Sequence, residues 1–125
     1  MTNEQRAEKL IEELGFDFET ISKAYVIGLF QNEINDFRQG SSEYIRLLCG
    51  YLYCLGDESD IPLIKKAKYG INMDVGCMID IEWIESLENG GNEDPAAFIR
   101  PKNEIVKSFV DYYSDYFAQS DDDND

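Results

Sequence analysis

The sequence predicts an all-α single domain of about six helices, arranged as stacked antiparallel α-hairpins in a bundle or a short α-solenoid. Three observations predict it. Apolar residues recur every third or fourth position along most of the chain. No segment alternates polar and apolar residues with period two. The connections are short, and short connections favour antiparallel helical neighbours. The chain has 125 residues, the length of one domain. The helical domain is expected over residues 1–119, with residues 120–125 a disordered acidic tail.

Each element has its own signal. Ala7, Leu10, Ile11 and Leu14 mark a first helix over residues 2–14, and Gly15 stops it. A second begins at Thr20, with Ile21, Ala24, Ile27, Phe30, Ile34 and Phe37 on one face. Ser42 is a good N-cap for a third helix over 43–55, whose apolar positions are so many that burial on several sides follows. Asp60 can cap a fourth over 61–69, with Pro62 in its first turn. Asp74 can cap a fifth over 75–88, carrying Cys77, Ile81 and Ile84 inward. Residues 89–95, with two glycines, form a loop, and a last helix runs from about Pro101 to Gln119.

Charge is the unusual property. There are 26 acidic residues against 11 basic ones and no His, for a net charge of −15. That argues against direct binding of nucleic acid or an anionic membrane, both of which are held through Lys and Arg. It favours a basic partner or serves solubility. The chain opens on polar residues with no signal peptide, and no apolar run approaches the length of a membrane span. Three cysteines without a CxxC pair, and no His, point away from zinc and toward reduced, mostly buried thiols of a cytoplasmic protein.

Catalytic signals are missing. Without His there is no Ser-His or Cys-His nucleophile pair. Gly90-Gly91 has no GK[ST] after it to cradle phosphate, and the acidic tail lacks the central Gly and distal Glu of a calcium loop. No enzyme activity and no cofactor are expected. The informative segment is 71–95. It holds seven carboxylates, Asp74, Asp80, Glu82, Glu85, Glu88, Glu93 and Asp94, and no Lys or Arg. Like charges three or four apart on a helix repel, so such a surface is relieved when a basic partner covers it; the alternative is a solvated face. Trp83, the only Trp, lies within it, either as core packing or as an interface anchor. These eight residues are the candidate partner-binding set.

Four stretches occur in an order that resembles a known family. They are Tyr51-Leu52-Tyr53-Cys54-Leu55-Gly56-Asp57, Leu63-Ile64-Lys65-Lys66-Ala67-Lys68, Asn72-Met73-Asp74 and Ile79-Asp80-Ile81-Glu82. Together they resemble small helical bacterial proteins, many of them immunity proteins of polymorphic or contact-dependent toxin systems. Lys65 stands where that family often has Trp, Met73 where it has Phe, and Glu82 where it has Gln; Glu88-Asn89-Gly90-Gly91 is similar to its glycine loop. The resemblance covers about forty residues and implies a helical scaffold, with Lys68 pairing Asp74 or Asp80 across a helix hairpin. It also implies a function: binding and neutralising a cognate toxin, expected here to be a basic nuclease-type domain, by occluding its active site. Two alternatives stand beside it. One is an acidic inhibitor that imitates nucleic acid, of the anti-restriction or anti-CRISPR kind. The other is an adaptor with no inhibitory role. The sequence does not specify an oligomeric state.

Overall fold

A computed structural model describes the chain over residues 1–122. It is an all-α single domain of seven helices, and the described residues contain no strand. The helices are α1 (Asn3–Leu14), α2 (Lys23–Asn35), α3 (Glu43–Leu55), α4 (Ile61–Gly70), α5 (Met73–Met78), α6 (Ile81–Glu88) and α7 (Lys102–Asp122). The tail expected at 120–125 begins within α7, and its last three residues lie outside the described residues.

The third helix is the axis of the domain. Between Glu43 and Tyr53 every residue except Arg46 is buried, as its apolar circumference requires. It packs against α1, α2, α4, α5 and α6. It meets α7 at Gly50, where a β-carbon would run into the ring of Phe109. A solenoid element touches only its neighbours in sequence; a helix packed on elements before and well after it belongs to a bundle. Around this axis Phe109 joins four rings, those of Phe16, Tyr51, Trp83 and Tyr113, at centroid distances from 5.2 to 6.1 Å.

Capping explains most helix starts. Thr2 and Gln5 form a capping box on α1, and Gly15 closes it at φ 64°, a conformation that favours glycine. α2 begins at Lys23, capped by Ser22, and not at Thr20, which ends a short 3₁₀ turn, Phe18–Thr20. The buried face of α2 is Val26, Phe30 and Glu33, while Ala24 is exposed. Asp60 does not cap α4 with its side chain. Its carboxylate turns back to the Asp57 amide at 2.9 Å and to Lys23 Nζ at 2.8 Å.

The expected fifth helix is two helices. Asn72, rather than Asp74, caps α5, and the chain is extended at Ile79 and Asp80 before α6 begins. Asp80 caps α6, its carboxylate accepting from the Glu82 amide at 2.9 Å. The break is stable because other helices satisfy the carbonyls it exposes. Lys68 Nζ donates to Gly76 O and Ile79 O at 2.5 and 2.6 Å, and Arg46 Nε donates to Met78 O at 3.0 Å. Lys68 therefore serves backbone oxygens and does not pair with Asp74 or Asp80.

Candidate docking face

The eight candidate residues divide by what the fold does with each. Asp74, Asp80, Glu88 and Glu93 are exposed, and Glu85 and Asp94 are half-buried. Asp94 caps the 3₁₀ turn Pro95–Ala97 by accepting from the Ala97 amide. Two members leave the set of free surface groups. They are Glu82 and Trp83.

Trp83 is 2% exposed. Its ring stacks on Tyr53 at 6.0 Å and meets Phe109 edge-on at 5.9 Å, with the Arg46 guanidinium 5.1 Å from its centroid. The helical spacing of Trp83 with Ile84 and Leu87 turns it toward α3, so it is a core aromatic and its ring is not offered to a partner.

Glu82 is neutralised. Arg100 Nη2 donates to Oε1 at 2.8 Å, and Arg100 Nε and its backbone N–H both donate to Oε2 at 3.2 Å. The hydrogen bond from the Arg100 side chain holds the Glu82 carboxyl below its ordinary range, against a smaller effect of burial. Seven carboxylates without a base is true of residues 71–95 in sequence. In the fold Arg100 returns from just beyond that window, and six carboxylates remain unneutralised by it.

The same contact builds the segment between α6 and α7. Gly90 and Gly91 turn the chain at φ 65° and 79°. Asp94 and Ile99 then exchange both backbone hydrogen bonds at 2.9 Å, closing a tight loop. Ile99 is buried and Arg100 is clamped to α6. At the loop's end stands Phe98, 90% exposed and in the left-handed region at φ 58°. Sequence reasoning missed it because residues 96–100 have neither helical nor strand periodicity. The available signal was an aromatic residue in a turn that opens with Asp94-Pro95.

Phe98 is one of several exposed apolar side chains that stand near these acids along the chain. Met73, 83% exposed, precedes Asp74; Ile81 lies between Asp80 and Glu82; Tyr69 closes α4 nearby in sequence. A cavity of about 260 Å³ beside the Gly90-Gly91 turn is lined by Gly56, Asp57, Glu58, Leu87, Gly90, Gly91 and Lys102. Lys102 Nζ donates to Gly56 O at 3.0 Å and lies 5.1 Å from the Tyr53 ring centroid. Burial lowers its pKa, and burial pushes the nearby Cys54 thiol up to about 12 despite the lysine's charge. That thiol stays protonated at neutral pH, so the two do not form a nucleophile–base pair. Among the described residues no group of three or more His, Cys, Asp or Glu is placed to hold a metal, and no helix is long and apolar enough to cross a membrane.

No family model, curated protein or solved structure matches the chain.

Proposed function

We propose that the chain is an immunity-type protein that binds a basic toxin domain through the α5–α6 face and the loop after it, and neutralises that toxin in the cytoplasm by covering its active site. The observation that carries this reading is a coincidence of two surface properties. Of the seven large hydrophobic residues exposed among the described residues, four (Tyr69, Met73, Ile81 and Phe98) fall within residues 69–98. That stretch overlaps the segment that carries seven carboxylates without a Lys or Arg. Solubility alone accounts for acids but not for apolar side chains placed among them. Interfaces are enriched in aromatic residues and Met and depleted of Lys, and complementary charge guides the encounter. The stretches that resemble immunity proteins run from Tyr51 to Glu82 and overlap this region at Asn72-Met73-Asp74 and Ile79-Asp80-Ile81-Glu82. The net charge of −15 suits a nuclease-type toxin, whose cleft must be basic to hold phosphates.

The test is titration calorimetry against the C-terminal domain of the protein encoded immediately upstream. A one-to-one complex that weakens as salt rises is expected. No association at micromolar concentration and low salt overturns the reading. Displacement by DNA or RNA, with inhibition of unrelated host nucleases, would mark a nucleic-acid mimic instead.

A further inference from the structure

We infer that Phe98 is the anchor of this face: its ring seats in an apolar socket rimmed by Lys and Arg on the basic partner. The inference rests on the proposed function and names the side chain through which that surface grips.

The backbone at Phe98 is the first argument. At φ 58° and ψ 36° it occupies the left-handed region, where a β-carbon is disfavoured and glycine is the ordinary occupant. Among the described residues it is the one non-glycine at positive φ. A residue pays for such a conformation when its side chain is needed in that place. Nothing inside the domain needs it, because the ring is 90% exposed and gains almost no burial.

The mount is the second argument. The loop is held by the paired backbone bonds between Asp94 and Ile99, by the Asp94 cap, by Pro95, by the burial of Ile99 and by the clamp of Arg100 on Glu82. An exposed ring on a tethered loop loses little freedom when it binds, and this preorganisation favours affinity. Phe98 lies two residues from Arg100, so its Cα is within about 7 Å of a residue docked on the first turn of α6. Asp80 caps that same turn, its carboxylate accepting from the amide of Glu82, the residue Arg100 is clamped to.

The surroundings choose the partner. Glu93 and Asp94 stand in the loop itself, and its Arg100 is already paired with Glu82, so the charge the loop leaves over is negative. A socket with an acidic or purely apolar rim would leave those carboxylates desolvated without a partner; a rim of Lys or Arg pairs them. An aromatic ring is also attractive to those cations across its face.

The experiment measures binding of the toxin domain encoded upstream to wild-type protein, Phe98→Ala, Phe98→Gly and Phe98→Tyr. Glycine keeps the left-handed turn while deleting the ring, so Phe98→Gly should melt no lower than wild type. It should bind at least about 30-fold more weakly, mainly through faster dissociation. Phe98→Tyr should stay within a few-fold of wild type. If wild type binds and Phe98→Gly binds within threefold of it, the anchor assignment is overturned while the immunity reading stands. If wild type itself does not bind, the immunity reading fails and takes this inference with it.

Discussion

Arg6 grips Glu33 with two N–H···O bonds, Nη2 to Oε1 at 2.7 Å and Nη1 to Oε2 at 3.0 Å. The carboxylate side chain is only 6% exposed and also accepts from the Arg38 amide at 3.3 Å. One buried acid of α2 thereby fastens α1 and the chain that leads into α3. Removing it takes the carboxylate partner from a guanidinium that lies 4.0 Å over the Tyr44 ring and keeps only neutral acceptors such as Asn3 Oδ1. Glu33→Ala should cost about 2–4 kcal/mol, read as a lower midpoint in urea. Arg6→Lys should not restore the loss, because a point charge cannot reproduce the fork. A Glu33→Ala midpoint equal to wild type would show that the pair carries no stability.

Two of the helical glycines, Gly28 and Gly50, should respond oppositely to alanine. A β-carbon at Gly50 runs into the Cε1, Cδ1 and Cζ atoms of Phe109, a ring held on every side by other aromatics. Overpacking exceeds the helix-propensity gain, so Gly50→Ala should destabilise by about 1–3 kcal/mol. A β-carbon at Gly28 meets nothing within 4 Å, and Gly28→Ala should stabilise by about 0.5–1 kcal/mol. Chemical denaturation of both variants decides the matter, and equal effects of the same sign would contradict this packing.

Of the three thiols, expected from the sequence to be mostly buried, one is exposed. Cys49 is buried, Cys54 is half-buried and Cys77 lies open on α5. Burial pushes the Cys54 thiol up to about 12 and that of Cys49 higher still. A thiol-disulfide reagent at pH 8 should therefore titrate one thiol quickly, with the remaining two appearing after denaturation. Rapid reaction of two or three would mean that α3 opens readily in the native state.

What the sequence made legible follows from how local each cause is. The axial role of α3 is written in its own apolar circumference, and the stop at Gly15 in one residue's freedom at φ 64°. The break between α5 and α6 was not legible, because its stability comes from Lys68 and Arg46 on two other helices. Periodicity continues across Ile79 and Asp80, so the run reads as one helix. At the candidate face, the exposed acids Asp74, Asp80, Glu88 and Glu93 could be named in advance. The neutralisation of Glu82 could not, since its partner lies eighteen residues on in a loop without periodicity. Trp83 illustrates a further limit: a helix face says which side chains lie together, and only the packing of α6 on α3 says that this face points inward.

The Glu82–Arg100 clamp should make the loop sensitive to acid. Arg100 holds the Glu82 pKa below its ordinary value, so the folded protein binds this proton less readily than the unfolded chain does. The sign follows. The stabilising contribution is fully present above the unfolded carboxyl value, about 4.3, and is lost as pH falls through the lower folded value. Arg100 is 43% exposed, so solvent screening limits the effect on global stability to about 1 kcal/mol or less. The local effect is larger in kind, because the Arg100 backbone N–H is itself bonded to the carboxylate. Glu82→Gln retains shape but not charge. Its melting temperature should fall below wild type above about pH 5, and the difference should shrink as pH falls through the lowered folded value of Glu82. The Arg100 amide should exchange faster in the variant at neutral pH, with the amides of α3 unchanged. A constant difference between the two proteins across the whole range would mean that the charge of Glu82 does not hold the loop.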